Sequence, residues 1–249
     1  MTWLRVLAAT LLVQGAAHDA RPLPDADAMF AAVRRNLERS EEAQRGFAYT
    51  ERRSDVRFNP FGRLGTTGSR VVEVVPNENG TVTRRLIERD GTPLNGPPVE
   101  RNRRRSPRAR AMVDDVVATL DVRLDRRGLL DGRPALIAVF KGKPESKPRS
   151  REGRLARSFQ GTIWIDEQAQ EVARVEAVAL DDITFGYGLL ARMKKGSTVV
   201  AIRQPIDSEI WLPVSVRFSG EGRALLFRKL TIDFAIDWFN YRRVYSSSP

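Results

Sequence analysis

From Phe159 to the end of the chain, apolar and polar residues alternate with a period of two, in one segment after another. Phe159 to Asp166 faces Glu171 to Leu180 across a short break, the pattern of a β-hairpin. Ile183, Phe185, Tyr187 and Leu189 share one face of a strand expected over Ile183 to Arg192, and Ser197 to Gln204 follows. Ile210, Leu212, Val214, Val216 and Phe218 share another face, opposed by Trp211, Ser215 and Arg217. Leu226, Leu230, Ile232, Phe234, Ile236 and Trp238 are opposed in the same way by Lys229, Thr231, Asp233 and Asp237. Such alternation predicts long antiparallel strands with one side of the sheet buried and the other wet.

Two helical patterns precede this region. Asp25 or Asp27 caps a helix running to about Gln44, with Phe30, Val33 and Leu37 on one stripe. Ser106 and Pro107 start a second helix, whose buried stripe is Met112, Val113, Val116, Val117 and Leu120. Between the helices, Gly46 to Leu94 reads as strands broken by turns at Asn59 to Gly62, Asn77 to Gly80 and Asp90-Gly91. A further pair, Leu120 to Leu130 and Pro134 to Lys141, folds around Asp131-Gly132, and Lys141 to Arg157 reads as a basic loop. Helices with apolar stripes must bury them against a sheet face. The expected class is therefore α+β, mostly antiparallel β: a curved, unclosed half-barrel sheet covered by two or more α-helices.

The first 17 residues read as a secretory signal peptide. Met1 to Arg5 is a short positive region, Val6 to Val13 is apolar, and Gly15-Ala16-Ala17 supplies small residues before His18. The expected destination is the periplasm, with residues 18–249 as a single domain. No other segment approaches the roughly 20 apolar residues of a membrane span. The absence of cysteine rules out disulfides, thiolate chemistry and lipid attachment at a cysteine.

The 42 Lys plus Arg outnumber the 31 Asp plus Glu, and only six of the 42 are Lys. This excess reads either as composition or as attraction to an anionic partner such as a lipid headgroup. Arg101, Arg103, Arg104, Arg105 and Arg108 are the densest cluster; they are contacts for such a partner or simply a solvated loop. Nucleic acid is not an expected partner for an exported chain.

Little in the chain suggests catalysis. His18 is the only histidine, so a histidine-based triad and a multi-histidine metal site are both impossible. Asp233 and Asp237 lie four residues apart on one strand face, roughly 13 Å at strand rise, and read as solvated. Asp181-Asp182 sits at a strand junction. Gly186-Tyr187-Gly188-Leu189-Leu190-Ala191 fits G-x-G-x-x-A but lacks the helix that would receive a phosphate. No catalytic residue, metal or cofactor is expected.

Several short stretches together resemble a known family. They are Arg85-Leu86-Ile87 before Asp90-Gly91-Thr92-Pro93-Leu94, Asp131-Gly132-Arg133-Pro134, the Trp164 hairpin with Val172-Ala173-Arg174-Val175-Glu176, Trp211-Leu212-Pro213, and Asn240-Tyr241-Arg242-Arg243. Over roughly residues 25–244 the chain resembles the LolA-like superfamily, which includes LolA, LolB, the mycobacterial LppX type and the RseB sensor. The nearest likeness is to secreted outer-membrane lipoprotein-sorting proteins. The resemblance implies a half-barrel whose concave apolar face holds lipid or acyl chains under helices. On that reading the protein is a non-enzymatic periplasmic carrier for a lipid, an acyl chain or an acylated protein. Leu212, Val214, Val216, Phe218, Ile232, Phe234 and Ile236 would line the sheet side, and Phe30, Val33, Met112, Val116 and Leu120 the helical lid. The alternative is an RseB-like envelope module that contacts an inner- or outer-membrane protein with a filled core. A carboxylate-dependent hydrolase is the remote third reading.

Overall fold

The computed structural model describes residues 21–58, 68–102, 109–185, 191–224 and 228–244. The signal-like segment, His18, the turn expected at Asn59 to Gly62, the pair Ser106-Pro107 and residues 186–190 of the glycine motif lie outside these residues.

Helix α1 (Ala26–Ala43) begins where Asp25 accepts the Ala28 amide at 2.7 Å, the expected N-cap. Five strands follow: β1 (Phe47–Phe58), β2 (Gly68–Pro76), β3 (Thr81–Arg89), β4 (Thr92–Pro93) and β5 (Val99–Asn102). Helix α2 (Ala109–Thr119) leads into β6 (Leu120–Leu130) and β7 (Arg133–Gly142). Helix α3 (Arg151–Ala156) precedes β8 (Phe159–Asp166), β9 (Glu171–Ala179), β10 (Ile183–Phe185) and β11 (Ala191–Met193). Strands β12 (Thr198–Pro205), β13 (Trp211–Ala224) and β14 (Arg228–Arg243) complete the described chain.

All 14 strands join one antiparallel sheet with the main order β4-β3-β2-β1-β14-β13-β12-β9-β8-β7-β6. Its end strands, β4 and β6, do not pair, so the sheet is curved and unclosed, with three helices among the described residues. That is the expected class. Two of its turns follow directly from sequence. Asp90-Gly91 and Asp131-Gly132 both hold positive φ (51° and 79°, 51° and 80°), the conformation that joins adjacent strands with the correct twist. Strand β14 carries a register shift against β1 between Ala48 and Thr50, and the left-handed Asn240 (φ 55°) supplies the extra residue.

Cross-strand pairs identify the buried face. Ala138 lies opposite Ile163, Ile163 opposite Val175, Val175 opposite Ala201, and Ala201 opposite Val216. Val216 in turn lies opposite Ile236, and Phe218 opposite Phe234. On the β7–β9 part of this face, Met29 and Val33 of α1 pack on Leu136, Ala138, Ile165 and Val172. Phe30 and Leu37 border the same cluster.

Three expectations need correction. The segment Lys141 to Arg157 is not all loop: Ser150 caps α3 by accepting the Gly153 amide at 2.8 Å. Gly142 lets the end of α3 approach, since a Cβ there would stand 1.9 Å from the Arg157 carbonyl oxygen. The strand expected over Ile183 to Arg192 is two short strands, β10 and β11, paired antiparallel to each other. The alternation through β13 is also interrupted. Ile202 and Arg203 face Ser215 and Pro213, so the strand has one extra residue there and Trp211 is buried rather than wet.

Leu136 has no exposed surface, whereas Leu129 is 69% exposed. Leu136→Ala is expected to lower unfolding free energy by about 2–5 kcal/mol. Leu129→Ala should change it by less than about 0.5 kcal/mol in the same denaturant titration.

Candidate functional site

The apolar face divides into two parts with different burial. Under α1 it is a filled core, and polar contacts fix the second half of the helix. Asn36 donates through Nδ2 to the carbonyls of Ala169 and Gln170, both at 3.1 Å. Ser40 donates its hydroxyl to Glu171 Oε1 at 2.9 Å. Glu171 is only 1% exposed, and its second oxygen accepts from Arg203 Nη1 at 2.8 Å. Arg203 also donates to the Trp211 carbonyl at 2.7 Å. A buried carboxylate needs its charge matched and its lone pairs filled. Ser40 and Arg203 do both, and the node ties α1, β9, β12 and the start of β13 together.

Beyond α1, the same face continues on β13 and β14 as Val216, Phe218, Phe234 and Ile236, all half-buried. Phe218 and Phe234 stack with centroids 5.2 Å apart and planes 14° from parallel. Phe218 also packs against the Ala179 and Ile183 cluster, which Leu155 of α3 and Phe159 border. On the flank toward β1, the Arg53 guanidinium lies over the Phe234 ring at 5.7 Å. Trp238 donates through Nε1 to Glu51 Oε2 at 3.3 Å, and Arg84 pairs with the other oxygen of Glu51 at 2.9 Å.

Helix α3 is fixed by one carboxylate. Asp115 of α2 accepts the amides of Arg149 and Ser150, each at 2.9 Å, and the Ser150 hydroxyl. The hydroxyl, then the two amides, hold this carboxyl below the ordinary aspartate range. At the other end of the sheet, Tyr241 donates its hydroxyl to the Pro213 carbonyl at 2.7 Å. Burial above all, then Tyr49 and Glu51, push its phenol upward, so it remains a donor.

A separate cleft of about 260 Å³ opens beside Arg133, Asp166 and Trp211. Its polar groups already have structural work. Asp166 accepts Arg133 Nε at 2.8 Å and the Ala169 amide at 2.8 Å, closing the β8–β9 turn. Arg133 in turn covers the Trp211 ring at 5.8 Å.

The residues expected from sequence to line one site fall into separate groups. Val33 and Phe30 belong to the core under α1, whereas Leu212 packs with Phe47 and Ile210. Val216, Phe218, Phe234 and Ile236 do come together, through the cross-strand pairs given above. Val214 stands at the register shift, half-buried, as are Val116 and Leu120. Met112 and Ile232 fall in α2 and β14, but their side chains lie outside the described residues. Arg101 is exposed on β5, and Arg103, Arg104, Arg105 and Arg108 lie outside the described residues. Asp181 and Asp182 are exposed, and Asp237 pairs with Arg217 at 2.7 Å. Among the described residues no three acidic or histidine side chains gather to hold a metal. The Glu171 node was missed: a Glu starting a strand carries no signal that a serine 131 residues earlier will reach it.

No family model matches the sequence, and no curated protein matches it. Solved structures match at low identity. A LolA superfamily protein from Nitrosomonas europaea matches at 11% identity and a TM-score of 0.38, over 87% of this chain and 94% of that one. A putative outer membrane lipoprotein-sorting protein domain from Vibrio parahaemolyticus matches at 9% and 0.41, over 88% and 93%. MucB in the Pseudomonas aeruginosa MucA/MucB complex matches at 12% and 0.27, over 86% and 99%. At these scores the likeness carries no argument about what this chain binds. The half-barrel assignment rests on the strand order and the helix placement.

Two measurements probe the anchors. Glu171→Ala strands the Arg203 charge and is expected to cost about 3–5 kcal/mol; adding Arg203→Met should recover part of that loss in denaturant unfolding. The depressed Asp115 contributes stability that is complete above the unfolded aspartate value of about 3.9 and is lost as pH falls through the lower folded value. Its carboxyl carbon should therefore titrate by NMR below the ordinary aspartate value of about 3.9, and Ser150→Ala should raise the midpoint.

Proposed function

We propose that this protein is a non-enzymatic periplasmic carrier that binds a lipid or acyl chain on the strip formed by Val216, Phe218, Phe234 and Ile236. One observation carries the reading. The strip lies on the same sheet face as the core, yet all four of its large apolar side chains are only half-buried, whereas under α1 Leu136, Ile165 and Val172 are buried. Half-buried aromatic surface on the helix side of an open sheet is a place where apolar ligand replaces water. Each methylene buried there contributes about 0.8 kcal/mol, so a long chain is held by length and needs no specific polar contact. On this reading Val116 and Leu120, half-buried at the α2–β6 junction, belong to the helical lid. Phe30 and Val33 hold α1 in place and leave the ligand to the open strip. The partner that supplies or receives the ligand is a membrane lipid or an acylated envelope protein.

Native mass spectrometry of the protein purified from the envelope is the test. A mass excess that disappears on denaturation, with uptake of a fluorescent fatty acid by the stripped protein, is the expected result. Replacing Phe218 and Phe234 together by Ser should weaken that uptake at least about tenfold, since each ring contributes about 1.5–3 kcal/mol when covered. A ligand-free mass and no uptake would overturn the carrier reading.

A further inference from the structure

Three arginines stand directly opposite one another on adjacent strands. Arg53 of β1 pairs in register with Arg70 of β2, and Arg70 with Arg89 of β3. Ile236 of β14 lies opposite Arg53, so the row shares the sheet face of the apolar strip. All three arginines are exposed. Like charges in directly opposed positions destabilise a sheet. Other arginines of β3 have partners on the neighbouring strands: Arg84 pairs with Glu51 at 2.9 Å and Arg85 with Glu73 at 3.4 Å. Arg53 is engaged as well, over the Phe234 ring and in a further contact. Arg70 and Arg89 differ. Among the described residues no carboxylate, carbonyl or ring meets either guanidinium. The nearby carboxylates are committed elsewhere. Glu51 is taken by Arg84 and Trp238, Glu73 by Arg85 and Arg242, and Asp90 by the Ser69 amide. Glu88 lies opposite Val71, on the other face, and Asp55 stands beyond Arg53, opposite Phe234.

We infer that Arg70 and Arg89 form a binding site for a phosphate monoester. Two charges without carboxylate partners match a group that carries about 1.5 to 2 negative charges at pH 7. Neighbouring strands are about 4.8 Å apart, so guanidinium groups rising from opposed positions reach the oxygens of one phosphate. Each offers parallel N–H donors, and such charge-assisted bonds are the strong ones. A carboxylate, with one charge, would leave one arginine unmatched. The bound anion also removes the repulsion that the opposed pair otherwise carries. Arg53 marks the border of the site, since its contact with Phe234 is where the charged row meets the strip. The site stands apart from the carrier reading. A phosphate held there is either free or the head of a lipid whose chain runs past Arg53 onto Ile236 and Phe234, and the phosphate monoester is the chemistry common to both.

Binding is measured with glycerol 1-phosphate, with a lysophosphatidic acid, and with the monoacylglycerol of the same chain. All are used at one ionic strength and below the concentrations at which the lipids self-associate. The wild type should bind the lysophosphatidic acid at least about tenfold more tightly than the monoacylglycerol, the value of one good charge-assisted bond. Arg70→Gln with Arg89→Gln should remove that preference. Arg123→Gln with Arg126→Gln, on the edge strand β6, removes as much charge and should keep it. In the wild type, the amide resonances of Arg70 and Arg89 should move with the phosphate ligands and not with the monoacylglycerol, a readout that needs no variant. Competition by glycerol 1-phosphate supports the site and identifies free phosphate esters as sufficient. A preference for the lysophosphatidic acid without such competition supports the site with a lipid as its source. Equal affinity for the phosphate and neutral heads, or a preference that survives Arg70→Gln with Arg89→Gln, overturns the inference, and monoacylglycerol uptake then still upholds the carrier reading. Binding of the phosphate ligands without any of the monoacylglycerol overturns the carrier reading and leaves this site standing.

Discussion

An open sheet has an apolar face that must be covered, and the three α-helices among the described residues cover only part of this one. The main path runs through eleven strands, or roughly 50 Å at about 4.8 Å per strand. Helix α1 has 18 residues, so it is about 27 Å long and about 10 Å wide. It settles over β7 to β9, where Leu136, Ala138 and Ile165 are wholly buried. Helix α3 has six residues and reaches the sheet with Leu155. The mismatch between sheet area and helix area leaves Val216, Phe218, Phe234 and Ile236 half-covered. Everything proposed about binding follows from that mismatch.

The helices are held by carboxylates as much as by apolar contact. Glu171 sits beneath α1 with both oxygens filled, and Asp115 gathers the approach to α3 onto α2. These contacts are directional, so they set where each helix ends and which part of the face stays open. Apolar packing alone would let α1 slide along a sheet of small and branched side chains at little cost. A buried charge that must meet both Ser40 and Arg203 does not permit such movement.

The elements with local signals were legible in the sequence. Asp25 capped its helix, Asp90-Gly91 and Asp131-Gly132 turned their strands, and the Trp164 hairpin formed as β8 and β9. What escaped was set by contacts distant in the chain. The α3 helix depends on Ser150 and on Asp115, 35 residues earlier, and a Gly within it argued for loop. The extra residue in β13 follows from its pairing with β12, and a period-two pattern read along one strand cannot register it. The lining expected from sequence mixed three clusters, because alternation identifies the face of a strand and not which neighbours cover it. The part that did assemble, Val216 to Phe218 with Phe234 to Ile236, lies on two neighbouring strands whose alternating faces are each legible, although β13 runs on through Gly220 to Gly222, where the glycines suggest a turn.

The pairing of β1 with β14 has a consequence for synthesis. Phe47 lies opposite Arg243, so the middle of the sheet joins strands from opposite ends of the chain. A chain emerging in order from its N-terminus can pair β1 with β2 and β3, and later β6 with β7, as separate small units. The two units cannot join within the sheet until β14 arrives, and contacts so distant in sequence form slowly. Joining the two units into one sheet thus waits on β14, the last of the described strands.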